Sequence, residues 1–129
     1  MAKENQKILV IDDDTTIVDL IKSILTKEGY PVFTANNGKD GLVKAGEIQP
    51  DLILMDITMP DMDGYQATEE IKKNPKLTDV PVVFLTGKSA SEDGGKAFAT
   101  GGAGYVRKPF NNQQLRDLVN LIMSSLAVD

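Results

Sequence analysis

Five side chains that could carry out chemistry together follow the ends of apolar runs in this sequence. Asp12 and Asp13 follow the first run, Asp56 follows the third, and Thr86 and Lys108 follow the fourth and fifth. If these runs are parallel strands, their carboxyl ends meet at one edge of a sheet, where ligands bind in open α/β folds. That edge would hold three carboxylates, one hydroxyl and one ammonium group.

These residue types favour a magnesium-dependent phosphoryl transfer. The chain has no histidine and no cysteine, so a bound metal should be a hard cation held by oxygen, such as Mg²⁺. An aspartate can attack phosphorus and form an aspartyl-phosphate. A nearby lysine and Mg²⁺ would neutralise the transferring group, and a hydroxyl would donate a hydrogen bond to a phosphate oxygen.

The composition excludes several classes of protein. The chain has 129 residues, which suits one domain, and 19 acidic against 14 basic residues give a net charge of −5, which argues against a nucleic-acid binder. Without cysteine or histidine there are no disulfides and no Ser-His or Cys-His nucleophile pairs. No secretion signal and no apolar run of about 20 residues is present, so we expect a cytoplasmic protein.

Strands and helices alternate along the chain, which predicts a parallel sheet with helices on both faces. The predicted strands are residues 8–11, 32–35, 52–55, 80–85 and 105–107. The predicted helices are the segment between Asp14 and Gly29 and residues 39–48, 65–73, 89–100 and 115–126. We therefore expect the α/β class, with residues 1–129 forming a single domain.

Local signals refine the helices. Asp14 is expected to cap the first helix, which Gly29 ends. Gly41 and Gly46 should weaken the second helix. The adjacent Gly94 and Gly95 should make the helix at residues 89–100 the least stable element, since each interior glycine costs about 1 kcal/mol relative to alanine.

The motif residues resemble the receiver domain of two-component response regulators. The resemblance rests on the acid pair Asp12-Asp13, the pattern D-x-x-M-P-x-M-D-G that begins at Asp56, Thr86, and Lys108-Pro109-Phe110, and it covers about residues 7–126. It implies a flavodoxin-like, doubly wound sheet of strand order 2-1-3-4-5. It also implies a regulatory phosphoacceptor that catalyses only its own phosphorylation and dephosphorylation.

The resemblance assigns further roles within the site. Asp56 would accept the phosphoryl group from a histidine kinase or a histidine phosphotransfer protein. Mg²⁺ would be held by Asp12, Asp13, Asp56 and the backbone carbonyl of Thr58.

Three implied features lie around this centre. Lys108, followed by a cis bond to Pro109, would contact the phosphate. Thr86 would be the switch hydroxyl, and Tyr105 the aromatic side chain that changes rotamer with it. The face formed by the fourth helix, fifth strand and fifth helix would bind a downstream protein.

Few residues follow the last predicted helix. We therefore expect either that the signal leaves by protein contact or that the sequence is a fragment of a longer regulator.

Two alternative functions fit parts of the pattern. Asp12-x-Asp14-x-Thr16 also matches the nucleophile motif of haloacid-dehalogenase-like Mg²⁺ phosphatases, with Asp12 as nucleophile. That family needs an acidic pair after its lysine and usually a cap domain, whereas only Asp117 and Asp129 follow here. A flavodoxin-like nucleotide or flavin binder would need a phosphate-cradling loop and stacking aromatic residues, which the pattern lacks.

Overall fold

The apolar runs form five parallel strands of one sheet. The computed structural model describes residues 3–87 and 102–126, in which the strand order is β2-β1-β3-β4-β5 and every neighbouring pair is parallel. The strands are β1 (Ile8–Ile11), β2 (Val32–Ala35), β3 (Leu52–Asp56), β4 (Val82–Thr86) and β5 (Gly104–Arg107). The predicted α/β class and the strand order implied by the resemblance are confirmed.

Helices cover both faces of this sheet. They are α1 (Thr15–Lys27), α2 (Gly38–Ile48), α3 (Gly64–Lys72) and a last helix (Asn112–Leu126), with a short 3-10 helix at Lys3–Asn5. One core cluster packs α1 and the last helix against Ile8 and Val10, and the other packs α2 and α3 against Leu9 and Ile11. Successive strand residues point to opposite faces, so strands buried throughout need helices on both sides. No helix within the described ranges is long and apolar enough to cross a membrane.

The strand register brings the polar strand ends together. Ile11 of β1 pairs with Met55 of β3, so the next residues, Asp12 and Asp56, leave the sheet side by side. On the other side of β3, Asp56 pairs with Leu85 of β4, and Thr86 is the next residue of that strand. The sheet edge predicted from the sequence therefore forms.

The predicted cap at Asp14 and the predicted end at Gly29 are confirmed for α1. Asp14 is its N-cap, and Asp14 Oδ1 accepts hydrogen bonds from the backbone N–H groups of Thr16 (3.0 Å) and Ile17 (3.3 Å). Gly29 follows the C-cap with a φ of 102°, a conformation that favours glycine. The helix predicted at residues 89–100, including its two glycines, lies outside the described residues.

The fourth strand is shorter than predicted. It begins at Val82 rather than at Val80. The Val80 N–H donates to the carbonyl of Leu77 (3.1 Å) and so belongs to a turn, and Pro81 has no N–H to give to a neighbouring strand. The strand was predicted to begin at Val80 because residues 80–85 are mostly apolar, but the first two of these residues belong to the turn.

The last helix begins earlier than the apolar pattern predicts, at Asn112 rather than at Leu115. Asn111 Oδ1 accepts a hydrogen bond from the Gln114 N–H (2.7 Å), and Gln114 Oε1 accepts one from the Asn111 N–H (3.3 Å). This reciprocal pair satisfies free donors of the first turn and so sets the start of the helix.

Gly41 has a packing role, contrary to the prediction that it only weakens α2. A Cβ at this position would lie 2.5 Å from Ile11 Cδ1 and 2.9 Å from Ile11 Cγ1, so glycine allows α2 to approach β1 closely. Gly46, in the same helix, is exposed, and a Cβ there would meet nothing nearer than Asn74 Nδ2 at 4.0 Å. Only the second glycine is a simple weakness of the helix.

We predict opposite effects of the same substitution at these two glycines. Overpacking a core costs about 1–3 kcal/mol and exceeds the helix propensity gained, so Gly41→Ala should lower the free energy of unfolding. Gly46→Ala, the matched control, should raise it by up to about 1 kcal/mol. Urea unfolding measures both.

A double variant tests the contact itself. Ile11→Val removes the Cδ1 atom, so Gly41→Ala should cost less in the Ile11→Val background than in the wild-type chain. Equal costs in both backgrounds, or a Gly41→Ala chain as stable as Gly46→Ala, would contradict the proposed contact.

Candidate functional site

Three carboxylates meet where β1 and β3 leave the sheet. Asp12 is 0% exposed and Asp56 is 4% exposed, whereas Asp13 is open to solvent. Each of the three offers a carboxylate oxygen, and these oxygens lie within 4.8 Å of one another. Two buried carboxylates and an exposed third therefore form one oxygen cluster at the edge of the sheet.

One ammonium group bridges the two buried carboxylates. Lys108 Nζ donates to Asp12 Oδ2 (2.9 Å) and to Asp56 Oδ1 (3.1 Å). The other oxygen of Asp12, Oδ1, accepts from the Asp14 N–H (2.9 Å), so both oxygens of Asp12 have a partner. Lys108 is the residue after β5, and its own N–H donates to the carbonyl of Thr86 (2.6 Å), which ties the ends of β4 and β5 together. The predicted cis bond between Lys108 and Pro109 is confirmed.

The charges in this cluster do not balance, and the pKa values reflect it. Burial raises the pKa of Asp56 to about 7, the charge of Asp12 adds to this rise, and the hydrogen bond and charge of Lys108 oppose it. Burial by itself would lower the pKa of Lys108, but its hydrogen bonds and charge interactions with Asp12 and Asp56 raise it above its ordinary value. One ammonium cannot neutralise three carboxylates.

This donor set fits a divalent cation. The carboxylate oxygens converge, one of the three carboxylates is open to solvent, and an excess of negative charge remains after Lys108 is counted. Mg²⁺ prefers oxygen ligands and usually keeps waters beside one or two carboxylates, which an open edge of this kind allows. Residues Asp12, Asp13 and Asp56 are thus suited to the predicted metal.

The other predicted site residues lie around the cluster. Thr86 is buried at the end of β4, and Thr58 is exposed two residues after Asp56. Tyr105 pairs with Phe84 across β4 and β5 and packs against the core cluster that contains Phe84. Because Phe84 and Thr86 are two residues apart in one strand, Tyr105 and Thr86 share a face of the sheet.

Sequence reasoning included Gly64 in the D-x-x-M-P-x-M-D-G pattern but missed its contact with the site. A Cβ on Gly64 would lie 2.3 Å from the carbonyl oxygen of Asp56 and 2.9 Å from Ile57 Cα. The Gly64 N–H also donates to the carbonyl of Ile57 (2.8 Å). Glycine here lets α3 begin directly against the backbone that carries Asp56. The glycine of the D-x-x-M-P-x-M-D-G pattern was visible, but no local pattern gives this distance.

Comparison with known protein families agrees with the geometry. The family model described as response regulator receiver domain matches residues 8–120. The chain belongs to this family. Receiver domains are the regulatory phosphoacceptor domains of two-component phosphorelays, they bind Mg²⁺ in their active site, and they interact with histidine kinases and downstream targets.

The receiver's sequence relatives differ in length. This chain is 33% identical over 118 residues to Protein PilH of Pseudomonas aeruginosa, and the alignment covers 92% of this chain and 98% of that protein. It is 35% identical over 118 residues to the probable transcriptional regulator ycf29 of Pyropia yezoensis, covering 92% of this chain but 53% of that protein. This receiver thus spans about half the length of some relatives and nearly all of another.

Solved structures share the fold and, in one case, contain the metal. Chemotaxis protein CheY4 of Vibrio cholerae has a TM-score of 0.87 and 29% identity, covering 91% of this chain and 98% of that one. The receiver domain of sensor histidine kinase PA1611 of Pseudomonas aeruginosa has a TM-score of 0.84 and 29% identity, covering 92% and 98%. The latter has a magnesium ion coordinated in its active site cleft.

The raised pKa of Asp56 predicts that Asp56→Asn stabilises the metal-free receiver at neutral and higher pH. The folded pKa of about 7 exceeds the ordinary 3.8, so the folded state is penalised as pH rises from about 4 to about 7. Each pKa unit is worth about 1.4 kcal/mol, and after allowing for weaker pairing with Lys108 we expect a gain of about 2 kcal/mol at pH 8.

Urea unfolding in EDTA at several pH values measures this difference. The stability advantage of Asp56→Asn should be largest at pH 8 and should disappear only about one pH unit below the ordinary pKa of 3.8, where the carboxyl is protonated in both states. Mg²⁺ should reduce the difference in free energy of unfolding at pH 8, because it should stabilise the wild-type receiver more than the Asp56→Asn variant. A difference independent of pH would show that the charge of Asp56 is not its cause.

Proposed function

We propose that this chain is a phosphoacceptor switch in which Asp56 accepts a phosphoryl group from the phosphohistidine of a kinase or a phosphotransfer protein. The observation that carries the proposal is the double contact of Lys108 Nζ with Asp12 and Asp56, beside the third carboxylate of Asp13. The protein acts as a regulatory domain and catalyses only its own phosphorylation and dephosphorylation.

The reaction uses Asp56 as the nucleophile. A carboxylate oxygen of Asp56 forms a bond to phosphorus while the phosphorus–nitrogen bond of the phosphohistidine breaks, and the imidazole keeps the electron pair of that bond. Lys108 lies within hydrogen-bonding distance of Asp56 Oδ1, so its ammonium can neutralise charge on the transferred group without a large movement.

The metal ligands follow from the same cluster. Asp12, Asp13, Asp56 and the backbone carbonyl of Thr58 would hold Mg²⁺, as the family resemblance implies. When bound, Mg²⁺ would offset the negative charge of the carboxylates and of the phosphoryl oxygens. The charge that remains after Lys108 pairs with two carboxylates supports this assignment.

Signal output is proposed to pass through Thr86 and Tyr105. Thr86 supplies the switch hydroxyl, and Tyr105 changes rotamer with it. Their shared face on adjacent strands supports the pairing of the two side chains. The output surface is the face formed by the helix predicted at residues 89–100, β5 and the last helix, where a downstream protein binds.

We further propose that residues 1–129 form one receiver domain. It acts in the cytoplasm, without contact to nucleic acid or membrane.

The contacts of Asp12 argue against the phosphatase alternative. A nucleophile needs a carboxylate oxygen that is free to approach phosphorus, yet Asp12 is 0% exposed and both of its oxygens already accept hydrogen bonds, from Lys108 and from the Asp14 N–H. Asp56 is also buried, but among the described hydrogen bonds Lys108 contacts only its Oδ1, and Asp56 ends the strand beside Asp12. The receiver function therefore fits the site better.

Acetyl phosphate with Mg²⁺ should add one phosphoryl group to Asp56. Borohydride reduction of the acyl phosphate followed by peptide mass spectrometry locates the modified residue. Asp56→Asn should take up none, whereas Asp14→Asn, which keeps a good helix cap, should be labelled like the wild-type chain. Label on Asp12 would overturn the proposal and restore the phosphatase hypothesis.

Mg²⁺ binding should depend on Asp13. Asp13→Asn removes the exposed charge of the cluster, so we expect affinity to fall by about tenfold or more, since loss of a residue that merely orients a metal ligand already costs about that much. Asp14→Asn removes the same charge one residue away and is the matched control. Equal affinities of the two variants, measured by NMR titration with Mg²⁺, would exclude Asp13 as a ligand.

A further inference from the structure

The loop that follows Asp56 is fixed at its ends and in its middle. We call residues 57–63 the acceptor loop. The Gly64 N–H donates to the carbonyl of Ile57 (2.8 Å), which closes the loop beside Asp56. In the middle, the Met62 N–H donates to the carbonyl of Pro60 (2.8 Å) across Asp61, whose φ of 70° lies in the left-handed region. This tight turn sets the direction in which the chain continues into Met62.

The side chain of Met62 lies on the first residue of α2. A Cβ on Gly38 would be 3.0 Å from Met62 Sδ, 3.1 Å from Cγ and 3.2 Å from Cβ. The backbone of Gly38 is outside the left-handed region that favours glycine, so its conformation does not require glycine. A Cβ at this position would instead press on the side chain of Met62, which would have to shift.

The start of α2, on which Met62 lies, is capped and packed against the sheet. Asn37 caps the helix, and Asn37 Oδ1 accepts a hydrogen bond from the Asp40 N–H (2.8 Å). Gly41, one turn further, rests on Ile11, and the residue after Ile11 is Asp12. The same helix therefore touches both the acceptor loop and the end of the strand that carries the acid pair.

We propose that Met62 is a positioning residue for the metal site, because it holds the acceptor loop on α2 and so sets the place of the loop relative to Asp12 and Asp13. The inference rests on the proposed metal site, in which Thr58 of this loop supplies a backbone carbonyl. Ile57 and Met59 anchor the first part of the loop in the core, so removal of Met62 frees the part around Asp61 from its contact with Gly38, and the loop samples positions that do not complete the site.

The test compares the Mg²⁺ affinity of three methionine variants of the full chain, with Mg²⁺ alone as the probe and NMR titration as the measurement. Met62→Ala should weaken binding by about tenfold, as for other residues that orient metal ligands. Met62→Leu, which keeps the apolar volume, should stay within about twofold of the wild-type chain. Met123→Ala is the matched control, because Met123 is buried in the other core cluster.

A role limited to packing would give a different result. Met123→Ala should lower stability in urea yet leave Mg²⁺ affinity unchanged, whereas Met62→Ala should change affinity. Amide exchange of Met62 and Gly64 in the metal-free chain should speed up in Met62→Ala and not in Met123→Ala. Gly38→Ala places a methyl group of α2 against the Met62 side chain and so should displace the loop and also weaken Mg²⁺ binding.

The outcomes separate this inference from the proposed function. If the wild-type chain binds Mg²⁺ and is phosphorylated on Asp56 while Met62→Ala and Gly38→Ala bind Mg²⁺ like the wild type, the positioning role is wrong and the proposed function stands. The positioning role is also wrong if Met123→Ala weakens binding as much as Met62→Ala does. If the wild-type chain does not bind Mg²⁺, the metal site itself is wrong and the inference falls with it.

Discussion

The central constraint on this receiver is a cluster of like charges at one edge of the sheet. Asp12 and Asp56 are buried side by side, Asp13 lies within reach, and the Lys108 ammonium is shared between the two buried carboxylates. Removing carboxylates from water and placing them together costs free energy that one ammonium does not recover, and the raised pKa of Asp56 expresses that deficit. The same deficit makes the site receptive to a cation.

The apolar scaffold supplies the free energy that keeps this cluster together. All residues of β1, β3 and β4 are buried, and helices cover them on both faces, so apolar burial at about 25 cal/mol per Å² acts throughout the sheet. Close contacts then fix the strands relative to the helices, as Gly41 does against Ile11 and Gly64 does against the carbonyl of Asp56. Such contacts leave the carboxylates little freedom to move apart.

Local chemistry explains which features could be predicted from the sequence. The cap at Asp14 and the meeting of Asp12, Asp56 and Lys108 depend only on side-chain type and on the geometry of parallel strands. By contrast, the need for glycine at position 41 depends on an atom of Ile11, and the way Lys108 divides its contacts depends on where β5 ends. Such distances arise from tertiary packing, which no spacing pattern contains.

The shared lysine also explains how a local change of charge can be felt across the sheet. Lys108 contacts Asp12 and Asp56 through its ammonium, and its backbone N–H is bonded to the carbonyl of Thr86. Any new charge on Asp56 changes how strongly the ammonium is drawn to each carboxylate, and the pull acts on Lys108, whose backbone hydrogen bond links the ends of β4 and β5. A group bound at Asp56 can shift an equilibrium between two conformations of the receiver only by the difference between its interaction free energies with those two conformations. Because Lys108 is already divided between two partners, a change in charge at Asp56 alters both contacts at once, and we expect the described structure to respond where Lys108 links the ends of β4 and β5.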